Sequence, residues 1–106
     1  MVYNLIITAR ADELVDGLLD YLMNKLKSAD AALHFMEELD ALYSRLEDNP
    51  FQFPESADAF LKAWGYREAF FSTMQYRVVF RVEEQAVYVV AVFHDLEDYP
   101  GKVEAE

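Results

Sequence analysis

Two runs of residues, 76–82 (YRVVFRV) and 86–94 (AVYVVAVFH), decide the fold, and a short polar segment, 83–85 (EEQ), separates them. Both runs are rich in valine, tyrosine and phenylalanine, which suit a pleated, half-buried surface. A two-residue turn at Glu84-Gln85 therefore predicts a β-hairpin. Its first face is wholly apolar and pairs Val82 with Val87, Phe80 with Val89, Val78 with Ala91 and Tyr76 with Phe93.

The second face of this hairpin carries the polar side chains. It pairs Arg81 with Tyr88, Val79 with Val90, Arg77 with Val92 and Gln75 with His94. A slip of one residue would move every side chain of one strand to the other face and set arginines against the apolar set. The favoured register therefore predicts that Arg77, Arg81, Tyr88 and His94 share one face, while the opposite face builds the core.

The first half of the chain predicts one strand and two helices. Residues 2–8 have the composition of a strand, and an amphipathic helix follows to about Lys27, with leucines and Val15 along one stripe. Ser28 or Asp30 is expected to cap a second amphipathic helix, which ends before Asn49-Pro50. The very short turn between the two helices predicts an antiparallel helical hairpin.

The second half predicts a loop over residues 51–59 and a strand within residues 62–71, centred on Trp64 to Phe70. The predicted fold is α+β with the order β-α-α-β-β-β: an N-terminal strand, a helical hairpin on one face of the sheet, and a three-stranded antiparallel meander. With 106 residues, the chain is expected to form a single domain, 1–106, that ends in an acidic tail, 95–106.

Charge is unevenly distributed along this acidic chain, whose formal net charge is −11. Residues 1–50 carry −6 and residues 95–106 carry −4, whereas residues 62–82 carry +3. Nucleic-acid binding usually relies on a broad basic field, so such a contact would be confined to the sheet face or made through a protein partner. The absence of cysteine, of a signal peptide and of a long apolar run indicates a cytoplasmic protein with no membrane association.

Arg77 and Arg81 are the main candidates for a functional site. Four residues apart in a strand, they are separated by roughly 13 Å at about 3.3 Å per residue, so they could contact successive groups of an extended ligand. The alternative is that both are solvated or paired with carboxylates. His94 could act as a general acid or base because histidine titrates near neutral pH, or it could simply end the strand.

The position of Arg67 depends on the loop before the hairpin. A two-residue turn at Ser72-Thr73 would set Glu68 opposite Arg77 in a structural ion pair, and a three-residue loop would set Arg67 opposite Arg77. The sequence does not choose between them. No cluster has the spacing of metal ligands and no glycine-rich phosphate loop exists, so neither a metal nor a cofactor is expected.

The order of these motifs resembles the RelE/ParE superfamily of bacterial toxins from type II toxin–antitoxin pairs. The resemblance covers residues 3 to about 94. It rests on 3–8 (YNLIIT) followed by Ala11; on Tyr21, Ala31-Ala32 and Phe35 in the helices; on 46–50 (LEDNP) followed by Phe53-Pro54; and on Arg67, the run 76–82 and His94. The long helical hairpin is more similar to the ParE branch than to the RelE branch.

The resemblance implies a plasmid-stabilisation-type toxin that inhibits growth and is neutralised by a cognate antitoxin. In the ParE branch the target is DNA gyrase. In the RelE branch the toxin is a ribosome-dependent mRNA endonuclease, for which Arg77, His94 and Arg81 would be the catalytic residues. Arg67, Arg77, Arg81 and Tyr88 would contact the target or nucleic acid. Asp95 stands where mRNA-cleaving members carry a basic residue or tyrosine, which favours the ParE branch. A non-toxic interaction domain and a homodimer remain open.

Overall fold

A computed structural model describes residues 2–95 of the chain. The elements follow one another as β1 (Asn4–Ile7), α1 (Ala9–Asp20), α2 (Ala29–Asp48), α3 (Ala59–Ala63), β2 (Arg67–Phe70), β3 (Tyr76–Glu83) and β4 (Ala86–His94). A π-helical turn, Tyr21–Lys25, extends α1, and a 3₁₀ turn, Pro50–Gln52, follows α2. The acidic tail predicted for residues 95–106 lies outside the described residues apart from Asp95.

The four strands form one mixed sheet in the order β1-β4-β3-β2. β1 is parallel to β4, and the three later strands form the predicted antiparallel meander. The predicted α+β architecture is therefore confirmed, and the partner of the first strand, which the sequence left open, is β4.

Local sequence accounts for the first turn of both long helices and for the end of the second. Thr8 caps α1 by accepting a hydrogen bond from the Ala11 amide, and Ser28 caps α2 in the same way through the Ala31 amide. Of the two caps expected for the second helix, Ser28 is thus the one used. The helix ends before Pro50, as predicted.

The core has two parts, one on each face of the sheet. The larger part packs the apolar stripes of α1 and α2 against one face, through residues that include Phe35, Leu46 and Phe80. The smaller part lies on the other face, where Leu61 of α3 and Tyr66 pack with Val79 and Phe93. The prediction that only one face builds the core was therefore wrong. The short helix α3 lies partly within the segment that was expected to be a strand.

The register of the hairpin agrees with the prediction only near its turn. Val82 pairs with Val87, Arg81 with Tyr88 and Phe80 with Val89, as expected. The register then shifts between Val79 and Phe80, so Val79 pairs with Ala91, Val78 with Val92, Arg77 with Phe93 and Tyr76 with His94. The predicted pairs beyond Phe80 were wrong by one residue, because a bulge at Val90 adds one residue to β4.

Candidate functional site

The bulge separates the residues that the sequence placed on one surface. Arg77 and Arg81 lie four positions apart on β3, so their side chains share one face of the sheet. Tyr88 lies on the same face because it pairs directly with Arg81. His94 instead pairs with Tyr76 on the opposite face, and their rings meet edge to face with centroids 5.2 Å apart. Tyr76 belongs to the larger core. The structure therefore does not bring His94 together with the two arginines.

Arg77 is held by two carboxylates. Its Nη1 donates to Glu68 Oε1 at 3.2 Å, and its Nε donates to Asp95 Oδ1 at 2.9 Å. The guanidinium also lies 4.7 Å from the ring centroid of Phe70, its pairing partner on β2. The side chain is only 13% exposed. This arginine thus has much of its charge compensated inside the protein.

Glu68 anchors this network from β2. Its side chain is 2% exposed, and its second oxygen accepts a hydrogen bond from Ser56 Oγ at 2.9 Å. The buried charge is therefore matched by an arginine and a hydroxyl, as a buried carboxylate requires. Neither loop expected before β3 is present, because Phe70 rather than Glu68 or Arg67 lies opposite Arg77. The Glu68–Arg77 ion pair expected for the two-residue turn nevertheless forms, because Glu68 pairs with Val79 and reaches Arg77 diagonally across the two strands.

Arg67 lies on the other face of the sheet from Arg77. It pairs with Phe80 of the larger core, donates from Nη1 to the Phe53 carbonyl at 2.7 Å and lies 5.1 Å from the ring centroid of Phe51. Its guanidinium ties the segment after α2 to the edge strand. Arg67 and Arg77 therefore cannot form one cationic pair.

Arg81 and Tyr88 form the part of the predicted surface that does assemble. They are direct cross-strand partners, and the Arg81 guanidinium lies 4.3 Å from the ring centroid of Tyr88. Arg81 Nη1 also contacts Glu83 Oε1 at 3.1 Å, but this pair is exposed, at 22% for the arginine and 59% for the glutamate. An exposed ion pair is weak, so a ligand could displace Glu83 at small cost.

A polar network that the sequence did not indicate joins α2 to the loop between β2 and β3. Glu38 accepts hydrogen bonds from the Ser72 amide at 2.6 Å and from the amide and hydroxyl of Thr73, and His34 Nε2 lies 3.0 Å from it. Burial raises the pKa of Glu38, but the hydrogen bonds from Thr73 and Ser72 and the nearby His34 outweigh this, so the pKa falls below its ordinary value. Spacing alone could have suggested only the His34–Glu38 contact, one helical turn apart.

Within residues 2–95, no group of three or more histidine or acidic side chains is arranged to hold a metal ion. In the same part of the chain, no helix is both long and apolar enough to cross a membrane.

The sequence matches the family described as "ParE toxin of type II toxin-antitoxin system, parDE" over residues 5–99. This match spans most of the chain, so the protein belongs to the ParE toxin family. No curated protein gives a significant match. Among solved structures, a chain of the "Chromosomal ParDE TA system from P. aeruginosa" superposes with a TM-score of 0.70 at 17% identity, covering 88% of this chain and 96% of that chain. At this identity, the likeness supports the shared fold.

Proposed function

We propose that this ParE-family chain inhibits growth by binding a macromolecular target, DNA gyrase, and that a cognate antitoxin neutralises it. Family membership supports a toxin of a toxin–antitoxin pair. The observation that carries the choice of binding over RNA cleavage is the placement of Arg77 between Glu68 and Asp95. A cytoplasmic location and a role in plasmid stabilisation belong to the same proposal.

Cleavage of a phosphodiester needs a cation directed at the charge that develops in the transition state. Arg77 faces two carboxylates instead, and the same carboxylates would repel an approaching phosphate. His94, the proposed general acid, lies on the opposite face of the sheet. The described residues therefore support binding better than they support an mRNA endonuclease.

Arg81 and Tyr88 are the residues that we propose contact the target. Both are partly exposed, they stack on each other, and the exposed partner Glu83 can be exchanged for a carboxylate of a target protein. Arginine and tyrosine side chains often dominate the binding energy of protein interfaces. Arg67 and Arg77 are, in this proposal, structural residues.

The first experiment induces the chain alone in bacteria and follows growth, plasmid supercoiling and mRNA integrity. We expect growth arrest with intact mRNA, and we expect the purified chain to inhibit supercoiling by purified gyrase. Co-expression of the product of the adjacent open reading frame should restore growth. Early cleavage of mRNA with unaffected supercoiling would overturn the gyrase assignment, and an absence of any growth effect would support a non-toxic interaction domain.

A pair of variants separates the two mechanisms. His94→Gln removes the proposed general acid, and Arg81→Ala removes the proposed target contact while leaving His94 unchanged. Binding predicts full toxicity for His94→Gln and at least about tenfold weaker gyrase inhibition for Arg81→Ala, the loss expected for a contact residue at the centre of an interface. Loss of toxicity in His94→Gln, with normal thermal stability and normal folding, would instead favour the endonuclease.

A further inference from the structure

The fold covers one edge of the sheet and not the other. β2 is one edge strand, and the segment before α3 lies against it: the Glu68 amide donates to the Pro54 carbonyl at 3.1 Å, and Glu55 forms a bridge with Arg67. β1 is the opposite edge strand, and β4 is its single partner strand among residues 2–95. The backbone of β1 is therefore paired on one side.

The unpaired backbone groups of β1 belong to Leu5 and Ile7. The Asn4 and Thr8 amides donate towards β4, at 2.7 and 3.1 Å. Because backbone groups alternate in direction along a strand, the N–H and C=O groups of Leu5 and Ile7 point away from β4. Within the described part of the chain, nothing bonds to these four groups. An edge of this kind can accept another strand.

The sequence of this edge carries none of the usual protection. Natural edge strands are commonly blunted by a charged residue, a proline or a bulge, and β1 has none of these. Residues 2–8 contain no acidic or basic side chain, although the chain has a net charge of −11. Ile6, in the middle of the strand, is 38% exposed. A second copy of the chain could therefore pair here without setting like charges side by side.

We propose that β1 is the interface of a homodimer in which the β1 strands of two copies pair antiparallel about a two-fold axis. The free groups fix the register, because Leu5 of each copy exchanges two hydrogen bonds with Ile7 of the other. Ile6 then lies opposite Ile6 of the second copy, in the type of pair that brings side chains closest. This inference does not depend on the target or the antitoxin of the proposed function.

The antiparallel arrangement keeps the acidic turns of the two copies apart. Glu83 and Glu84 lie beside the Asn4 end of β1, since Asn4 and Glu83 both pair with Ala86. In the dimer, the two Asn4 residues are about 13 Å apart along the strands, further than the screening length of about 10 Å at 0.1 M salt. Each Asn4 lies opposite Thr8, the N-cap of α1, and a helix N-terminus favours negative charge.

The dimer would place two copies of the Arg81–Tyr88 surface on one side of a continuous sheet. Ile6 pairs with Tyr88, which pairs with Arg81, so these three side chains form one row across the same face. Pairing of the β1 strands joins the two rows end to end. At about 4.8 Å between strands, the two Arg81 positions are then about 24 Å apart. A partner with two matching sites would bind such a dimer with added avidity.

The test measures self-association of the full chain by sedimentation equilibrium. We expect the mass to change from one chain to two between about 10 µM and about 1 mM, the range for a small interface. Ile6→Lys sets two like charges opposite each other and should raise the Kd at least about tenfold. Leu33→Lys makes the same kind of change at a residue of α2 that is 61% exposed, and should change the Kd less than about twofold.

A charge swap tests the register and does not depend on how well one variant folds. Ile6→Glu, like Ile6→Lys, should be monomeric when studied alone. An equimolar mixture of the two should associate, because lysine then lies opposite glutamate. Circular dichroism and urea unfolding verify that each variant keeps its fold. A mixture that stays monomeric, while the parent chain dimerises, would overturn the proposed register.

Hydrogen exchange locates the interface. The Leu5 and Ile7 amides should become protected as the concentration of the parent chain rises, whereas the Asn4 and Thr8 amides, which already donate to carbonyls, should be protected throughout. A parent chain that stays monomeric at about 1 mM, or equal weakening by Ile6→Lys and Leu33→Lys, would overturn the homodimer. Protection of Leu5 and Ile7 only when the product of the adjacent open reading frame is added would also overturn it and assign the edge to that protein.

Discussion

At the scale of single residues, Arg77 has an environment that its neighbours in the sequence did not indicate. The alternation of residues 76–82 correctly places Arg77 and Arg81 on one face of β3, because β-strand side chains alternate. It does not indicate what covers that face. Phe93 and Asp95 reach Arg77 because of the bulge in β4, and Glu68 reaches it across a diagonal. One arginine is therefore buried and compensated, whereas the other is partly exposed.

Replacing Arg77 by methionine tests whether it is a structural residue. The substitution keeps most of the apolar volume but leaves the buried carboxylate of Glu68 with Ser56 as a neutral partner. We expect a loss of about 3 kcal/mol in the free energy of unfolding, measured with urea at neutral pH, since an uncompensated buried charge is costly. Arg77→Met/Glu68→Gln should recover most of this loss.

Arg81→Met is the matched control for this experiment, because Arg81 lies on the same face in a more exposed ion pair. We expect Arg81→Met to lower the free energy of unfolding by about 1 kcal/mol, because it removes a surface ion pair and a contact with an aromatic ring. Equal effects at the two positions would contradict the structural role of Arg77.

Tyr43 gives a second prediction at the residue scale. Its buried hydroxyl has no hydrogen-bond partner among the described residues, so the folded state carries a desolvation cost that phenylalanine would avoid. We expect Tyr43→Phe to leave the free energy of unfolding unchanged or to raise it by up to about 1 kcal/mol. Tyr3→Phe is a suitable control at a partly exposed tyrosine that also packs against the larger core. A clear destabilisation by Tyr43→Phe alone would show that the hydroxyl is satisfied in solution.

At the scale of the elements, the sequence predicts the strands and helices better than it predicts their register. The run from Val89 to Phe93 is apolar throughout, so its alternation carries no information about which residue faces which side. The bulge inserts one extra residue into β4, but neither a glycine nor a change of polarity marks its position in the sequence. His94 consequently lies on the face opposite to the one expected, and the candidate catalytic set separates.

The short helix α3 was missed for a related reason. Residues 59–70 are rich in aromatic side chains, which favour strands in a local interpretation. Asp58 accepts a hydrogen bond from the Leu61 amide and starts one helical turn, and Gly65, at a φ of +85°, allows the chain to leave it. Leu61 then covers the second face of the sheet. The capping residue Asp58 can be recognised in the sequence. The burial of Leu61, which stabilises the helical turn, depends on tertiary packing that the local sequence does not show.

The contact between α2 and the loop before β3 predicts a pH dependence. The pKa of Glu38 is lower in the folded chain than its ordinary value of 4.5. The folded state therefore binds the proton less tightly than the unfolded state, and the stabilisation is fully present above pH 4.5. It disappears as the pH falls through the lower, folded-state pKa.

Glu38→Gln tests this contact, since glutamine keeps the size of the side chain but has no charge to lose. We expect the difference in unfolding free energy between the parent chain and Glu38→Gln to be constant near neutral pH and to shrink below pH 4.5. Hydrogen exchange at the Ser72 and Thr73 amides, which donate to Glu38, should accelerate in the variant. Glu37→Gln, one position away and exposed, should show neither effect.

At the scale of the whole molecule, the folded chain concentrates negative charge on α1 and α2, and the charge of Arg77, whose side chain is 13% exposed, is compensated internally by Glu68 and Asp95. Eight exposed acidic residues lie on the two helices, namely Asp12, Glu13, Asp16, Asp20, Asp30, Glu37, Asp40 and Asp48. Folding brings these carboxylates closer together than they are in the unfolded chain. Their mutual repulsion therefore opposes the folded state of a chain with net charge −11.

This repulsion predicts that salt stabilises the protein. Ions screen exposed charges beyond about 10 Å at 0.1 M, whereas the buried Glu68–Arg77 pair is screened much less. We expect the melting temperature to rise as NaCl increases from about 10 mM to about 300 mM, and to rise less for Asp12→Asn/Asp40→Asn than for the parent chain, because that variant has less repulsion to screen. A melting temperature that falls with salt would mean that exposed ion pairs contribute more than repulsion does.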